Sequence, residues 1–443
     1  MIAEERTPIT QDLAYGLLST GSTVIWSVLA GWLLYFYQPP NGMPLVPAAL
    51  YGVVMLVVRV ANAMIAAPIG YLSDHTRSTW GRRLPYITLS GLPMIVCFVL
   101  LWIPPEQNTS AGNLAYLIVV FSLYSVAYTF HQIPTTALIP EIAVTESHRV
   151  RISAISSGAM LVGMVVSALA GPVIDRVGYS AMAIIFGIAL LPTLYLPLLV
   201  LRERPGRQIE IAQRFTFRQA VLAVLQNPAF LTLTAAGALY WSTTAFVQGA
   251  LPFIVTEICL LSEADTFIFF APAIVASLIC YPIIIRLARR FGKWQVFTGS
   301  LLASAIVLPG LLLIGPWLPL SLKAQGLVWV TLQSIAMSGV MMLPPAFGAE
   351  ITDYDEQLTG QRREGIYYAT WGLFDQVING AAAALLPMLL LLGNSHTDPR
   401  GALGVRLVGP ICGLMMLVAF LVFRRYPLRP TPLASTPHGE KIG

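Results

Sequence analysis

The chain has 443 residues, of which 56% are apolar and only 11% charged, against about a quarter charged in an ordinary soluble protein. That deficit excludes a disordered chain and a water-soluble enzyme, because too few charges are available to cover the surface. Lys and Arg exceed Asp and Glu by 26 to 21, yet the basic residues stand in short clusters between apolar runs, a pattern of membrane topology and not of a nucleic-acid partner.

A helix needs about 20 apolar residues to cross a bilayer. Taken in chain order, the predicted spans cover Leu13–Tyr37, Val46–Leu72, Leu84–Ile103, Asn113–Leu138, Ile152–Ile174 and Ala181–Leu201. After a charged connection they cover Pro228–Ile258, Ala264–Leu287, Trp294–Ile314, Leu327–Phe347, Ile366–Gly393 and Val405–Phe423. A β-barrel is excluded, because its strands alternate apolar and polar residues over about ten positions. The expected fold is all-α and integral to the membrane, with twelve transmembrane helices in two pseudo-symmetric six-helix bundles. One bundle occupies 1–201 and the other 228–425, with a cytoplasmic linker over 202–227 and a cytoplasmic tail over 426–443. Phe215–Leu225 reads as a short surface helix within the linker. Met1–Gln11 is polar and no cleavable signal peptide precedes the first span.

Orientation follows from the basic residues. With both termini in the cytoplasm, Arg77, Arg82, Arg83, Arg149, Arg151, Arg202–Arg218, Arg286–Lys293, Arg362, Arg363 and the tail from Arg424 all lie inside. Arg176, Lys323, Arg400 and Arg406 fall outside or at the outer edge of a span, and Arg59 alone sits deep within one. A multi-pass protein of a plasma membrane, the bacterial inner membrane, is expected. The halves echo each other: Ala137, Glu141 and Ile142 close the fourth span as A-x-x-x-E-I, and Ala346, Glu350 and Ile351 close the tenth in the same way. Falling at equivalent positions, the match reads as duplication.

Four cysteines, Cys97, Cys259, Cys280 and Cys412, lie in or beside apolar runs without metal-ligand spacing. Asp353, Asp355 and Glu356 form the one acidic cluster, with Arg362 and Arg363 nearby, and no P-loop is present. The chain therefore reads as neither an enzyme nor a cofactor or metal protein.

Six-plus-six spans with repeated halves resemble the major facilitator transporters. Gly70, Asp74, Arg77, Gly81, Arg82 and Arg83 resemble that superfamily's signature loop after the second span, which implies a gate in which Asp74 accepts charge-assisted hydrogen bonds from arginines. Arg59, Asn62, Gly70, Thr76, Arg77, Ser78, Trp80 and Gly81 are similar to the glycoside–pentoside–hexuronide cation symporters, the melibiose-carrier group. So are Tyr15 and Gly16; Tyr128, Thr129, Ile133 and Pro134; and Asp353, Tyr354, Glu356, Arg362 and Glu364. Sodium-coupled members of that group carry carboxylates where this chain has Asn62, Ala66 and Gln132. Their charged and aromatic sugar contacts correspond here to Thr23, Thr136, Ser157 and Gln376.

The polar residues left inside the spans define a candidate site. Arg59 is near the middle of its span, where an unpaired charge costs about 3 kcal/mol. Asp375, eleven residues beyond Glu364 or about 16 Å of helix, is also near mid-depth, so the two are expected to pair directly or through substrate or water. Tyr368, Trp371, Asp375 and Asn379 share one helical face with Gln376 beside it, the mixture of rings and polar groups that suits a sugar. Thr23, Trp26, Asn62, Tyr128, Gln132, Tyr240, Trp241 and Gln248 are further substrate candidates. His131 is a candidate proton carrier, and Asp74, Arg77, Arg82, Arg83, Glu141, Glu350, Arg362 and Arg363 are candidate gate residues. Trp102, Trp317 and Tyr426 are expected as interfacial anchors; Pro134, Pro140, Pro252, Pro344 and Pro345 as kinks or span ends. The function read from these residues is secondary transport by alternating access of a small polar solute, a sugar or glycoside, by a monomer that is proton-coupled or uncoupled and not sodium-coupled. A carrier or exporter of a lipid-like amphiphile or secondary metabolite is the second reading, favoured by the missing sugar contacts.

Overall fold

A computed structural model describes residues 9–40, 42–76, 78–143, 145–203, 227–359, 364–392 and 402–428. Its helices are α1 (Ile9–Tyr37), α2 (Ala48–His75), α3 (Leu84–Leu100), α4 (Ala111–Ile142), α5 in two pieces (Glu146–Ala168 and Ala170–Val177) and α6 (Tyr179–Val200). The second half follows with α7 (Pro228–Phe253), α8 (Thr266–Phe291), α9 (Lys293–Val307), α10 in two pieces (Leu322–Met342 and Pro344–Thr359), α11 (Glu364–Leu390) and α12 (Leu403–Phe423). Among the described residues, 11 helical stretches are long and apolar enough to cross a membrane. The twelfth crossing is α3, which has 17 residues, about 25 Å, and runs on through turns at Leu101, Trp102 and Ile103.

The helix boundaries have local causes. Ser110, Thr145 and Ser321 each accept a hydrogen bond from a first-turn backbone N–H of α4, α5 and α10. Asn227 does the same for α7, with Pro228 following at the first helical position, where its missing N–H costs nothing. Gly178 and Gly292, with φ of 80° and 92°, turn the chain between α5 and α6 and between α8 and α9 in a conformation that side-chain-bearing residues avoid. Pro344 and Pro345 cannot supply N–H groups to a continuing helix, so α10 breaks at Leu343 and restarts.

Packing divides the helices into two bundles. In the first, α1 packs on α5 and α6, α3 on α4 and α6, and α2 on α4. In the second, α7 packs on α11 and α12, α8 on α10, and α9 on α10 and α12. The bundles meet along α2 with α11, α1 with α7, and α5 with α8. Small residues permit this approach. A Cβ on Gly52 would collide with the Ala384 carbonyl oxygen, and one on Gly171 would lie 2.5 Å from the Glu263 carbonyl oxygen. Many large apolar side chains on the outer faces are exposed, Leu89 at 76% and Leu199 at 78% among them, as befits a surface solvated by lipid.

Two expected anchors are instead core residues. Trp102 and Tyr426 are 0% and 1% exposed. Trp102 stacks with Tyr179 at 6.0 Å and meets Phe36 at 5.4 Å, while Tyr426 joins Phe347 and Phe423. Position near a span end misled here, because aromatic surface is buried whenever neighbouring helices offer rings to pack against. Trp317, 62% exposed, does stand at the surface. Pro134 lies within continuous α-helix, and Pro252 lies where α7 passes at Phe253 into a π-helical turn over Ile254–Ile258.

Candidate functional site

Twelve alternating crossings place the start of α1 and the end of α12 at one end of the molecule, the terminal end; the other is the distal end. Between them, Arg59 of α2 and Asp375 of α11 lie on the two helices that carry much of the bundle interface. Close approach again depends on a glycine: a Cβ on Gly380 would touch Leu56 Cδ1 at 3.2 Å and Arg59 Cβ at 3.3 Å. Asp375 is within electrostatic reach of the guanidinium, as are Tyr51 of α2 and Tyr124 and Tyr128 of α4. The Asp375 Oδ1 accepts from Asn379 Nδ2 at 2.8 Å, and the same amide donates to the Asp375 carbonyl oxygen at 2.9 Å. The buried Arg59 Nε and Tyr124 hydroxyl have no hydrogen-bond partner among the described residues.

Other candidates surround this centre or stand apart from it. Asn62 Oδ1 accepts from Thr129 Oγ1 at 2.8 Å, and Tyr124 stacks on Tyr128 with centroids 5.9 Å apart. Tyr240, 2% exposed, lies within electrostatic reach of Asp375 and packs on Trp241 at 5.6 Å. The Trp371 ring fits against Gly237, where a Cβ would meet it at 3.5 Å. Trp26 and Trp241 are each 37% exposed; Gln132, Gln248 and Gln376 are half-buried. Thr23 donates to the Ser19 carbonyl at 2.8 Å and faces Gly163 of α5. His131 is buried in the seam between α4 and α1, its Nε2 3.4 Å from the Ser22 hydroxyl.

At the terminal end those expected gate residues that are described, Asp74, Arg82, Arg83, Glu141 and Glu350, form ion pairs inside their own bundles. Arg82 Nη2 and Arg83 Nε reach Glu141 Oε1 at 2.5 and 2.8 Å, and Arg83 Nη2 reaches Asp74 Oδ1 at 2.9 Å. In the second bundle Lys293 Nζ pairs with Glu350 at 2.6 Å. The repeated A-x-x-x-E-I thus has one physical role twice over: the Glu ties the end of α4 or α10 to the basic residue after α2 or α8, and the Ile is 1% exposed in both copies. Burial pushes the Glu141 carboxyl above its ordinary range, while Arg83 and Arg82 pull it the other way. Arg77, Arg362, Arg363 and Phe215–Leu225 lie outside the described residues, as do the side chains of Asp353, Asp355, Glu356, Glu364 and Tyr368.

Three further acids matter that sequence reasoning passed over. Glu203 accepts the backbone N–H groups of Arg82, Arg83 and Leu84 at 2.6, 2.7 and 2.6 Å, neutralising the N-terminus of α3 with a carboxylate from beyond α6. Gly81, at φ 106°, leaves no room for a Cβ beside that carboxylate. Asp12, fully buried, binds His148 Nε2 at 2.7 Å and Arg151 Nε at 2.6 Å, clamping α1 to α5. At the distal end, Tyr179 donates to Glu263 Oε1 at 3.0 Å, and Tyr35 donates to Thr256 at 3.3 Å while packing on Phe253. These distal contacts join one bundle to the other. Each acid lies near a span end without a motif to single it out, and only its partner's position in space reveals its role.

Twelve membrane-crossing helices packed as two bundles are the architecture of a secondary carrier of a small solute and not of an enzyme, and the comparisons with known proteins show that class. The chain belongs to the MFS/sugar transport protein family, whose sequence profile matches residues 14–429. It is 24% identical over 444 residues to the putative sulfoquinovose importer of Salmonella typhimurium, covering 95% of this chain and 90% of that one. It is 23% identical over 430 residues to the glucuronide carrier protein homolog of Escherichia coli (94% and 92% covered). A match to an uncharacterised symporter of Synechocystis is 29% identical over 171 residues, 38% of this chain and 31% of that protein. Among solved structures, a bacterial homolog of the human lysosomal transporter Spinster, inward-facing and unoccupied, shares the fold with a TM-score of 0.67 at 14% identity, covering 94% of this chain and 96% of the other.

Proposed function

We propose that this protein carries a sugar or glycoside across the bacterial inner membrane as a monomer, with both termini cytoplasmic and with the proton, if any ion, as its coupling partner. Arg59 on one bundle, with Asp375 of the other within its electrostatic reach, carries the reading, because a charge pair divided between two rocking bodies would be remade in every cycle. Bonded distal ends, and terminal-end ion pairs kept within the bundles, support an inward-facing state. The positive charges at the terminal end support its cytoplasmic placement. Relatives named for sulfoquinovose and a glucuronide support a sugar-type cargo, and give the amphiphile reading no added weight. Sodium is disfavoured because Asn62, Ala66 and Gln132 provide no negative charge and the Asn62 oxygen already accepts from Thr129. A proton needs only one acid, and Asp375 is that acid.

The candidate residues would divide the work. Tyr240, Trp241, Trp371, Trp26 and Tyr128 would supply faces for the sugar ring, and Thr23, Asn62, Gln132, Gln248, Gln376 and Asn379 its hydrogen bonds. Uptake into proteoliposomes by Asp375→Asn across pH tests the coupling. The expected outcome is loss of pH dependence with downhill exchange retained; an unchanged rate and pH profile would remove Asp375 from the coupling role. Uptake that rises with sodium in the wild-type protein would overturn the choice of ion.

A further inference from the structure

We infer that the terminal end of the second bundle binds the headgroup of an anionic phospholipid, through Arg286, Arg289 and Arg290 at the close of α8 and Arg424 and Arg425 at the close of α12. All five side chains are exposed. Among the described residues none of them forms an ion pair, and Glu350, the acid engaged at this end, is taken by Lys293. The first bundle treats its arginines differently: Arg82 and Arg83 are answered by Glu141 and Asp74, and Arg151 by Asp12. Glu203, just beyond α6, also has no counterpart beyond α12, where Arg424, Arg425 and Tyr426 follow the last turn. The C-terminal ends of α8 and α12 supply about half a negative charge each, far short of five guanidiniums. The remaining counter-charge must come from outside the chain.

Its source follows from the surfaces that the arginines border. On α8, Val275, Ile279 and Ile283 are exposed at four-residue spacing, and Arg286 and Arg290 continue the same helical face. On α12, Leu414, Leu417 and Leu421 are exposed, and Arg424 and Arg425 stand three and four residues further on. The start of α9 joins the two helix ends: α9 packs on both α8 and α12, Trp294 Nε1 donates to the Phe423 carbonyl oxygen at 3.4 Å, and the Phe297 and Phe423 rings meet at 4.6 Å. Arg424 lies over the Phe420 ring at 5.6 Å and Arg290 over the Phe291 ring at 5.1 Å, contacts that hold each guanidinium at the edge of the apolar face without cancelling its charge. A phospholipid matches both parts. Its phosphate accepts charge-assisted bonds from the arginines, and its acyl chains cover the apolar faces below them. A soluble anion would engage only the arginines.

The test titrates the purified full-length protein in neutral detergent with dioleoyl phosphatidylglycerol or dioleoyl phosphatidylcholine, which share acyl chains and differ in net charge, and reads the unfolding temperature. Phosphatidylglycerol is expected to bind about tenfold or more tightly, and high salt to shrink that preference in the wild-type protein. Arg289→Gln with Arg290→Gln, or Arg424→Gln with Arg425→Gln, should each cut the preference several-fold, and the four changes together should abolish it. Arg176→Gln, which removes an exposed positive charge from the distal end, should leave it intact. Equal binding of the two lipids, a preference unmoved by salt or by either double variant, or an equal loss in Arg176→Gln would overturn the site. Stabilisation by inorganic phosphate or soluble poly-L-glutamate as large as that by phosphatidylglycerol would assign the arginines to a soluble anion and overturn the lipid.

Discussion

Charges in this protein are tolerated where a second chain segment answers them. Glu141 shows the balance: its side chain is 9% exposed and meets Arg83, 7% exposed, and Arg82, 29% exposed. Truncation by Glu141→Ala leaves Arg83 with Asp74 alone and should cost about 3 kcal/mol, read as lower unfolding temperature in detergent. The pseudo-equivalent pair is half-open, with Lys293 and Glu350 each 30% exposed, so Glu350→Ala should cost under about 1 kcal/mol. Equal losses from the two would refute the burial argument. Because the folded protein raises the Glu141 pKa above its ordinary value of 4.5, the stability linked to its proton is complete below about pH 4.5 and is lost as pH rises through the folded value. Glu141→Gln should therefore flatten the fall in unfolding temperature above pH 4.5; an unaltered slope would assign it to other groups.

Elements were largely legible from the chain, because hydropathy and caps are local. The spans predicted from Asn113, Pro228 and Leu327 are kept, each helix being started in the structure by a local side-chain cap at Ser110, Asn227 or Ser321. What could not be read was how one element closes another. Glu203 lies beyond the end of α6 yet completes the first turn of α3, and Glu203→Ala should destabilise the protein by about 1–2 kcal/mol, as loss of a cap does. Measured denaturation within 0.3 kcal/mol of wild type, a margin on the order of additivity error, would show that solvent replaces it fully. Gly52 tells the same story between bundles: its bare Cα lets α2 touch α11 at Ala384. A leucine there is expected to wedge the distal ends apart, lowering transport while raising hydrogen exchange at the distal ends of α2 and α11. Normal transport by Gly52→Leu would mean the contact is dispensable.

For the whole molecule, the decisive feature is where the bundles are joined. The Tyr179 bond to Glu263 crosses at the distal end, and a hydrogen bond to a charged partner contributes about 1.5–3 kcal/mol. Tyr179→Phe should then raise the distal-open population by about tenfold or more, visible as a longer distance component between spin labels on the distal ends of α5 and α8. An unmoved distance distribution would show that packing of Tyr35 on Phe253 holds the gate instead.

Composition and span spacing alone fixed a membrane protein of twelve helices in two related halves, and singled out Arg59 and Asp375, because the cost of charge in lipid depends on depth along one helix. The repeated A-x-x-x-E-I showed kinship between halves, but not that both glutamates are latches. Partner choice belonged to the tertiary structure. Which acid answers Arg82, Arg83 or Tyr179, which aromatics are core, and which end is joined all depend on helix rotation and on contacts between residues far apart in the chain. Those relations leave no periodic trace in sequence, since the partners lie on different helices at no fixed spacing.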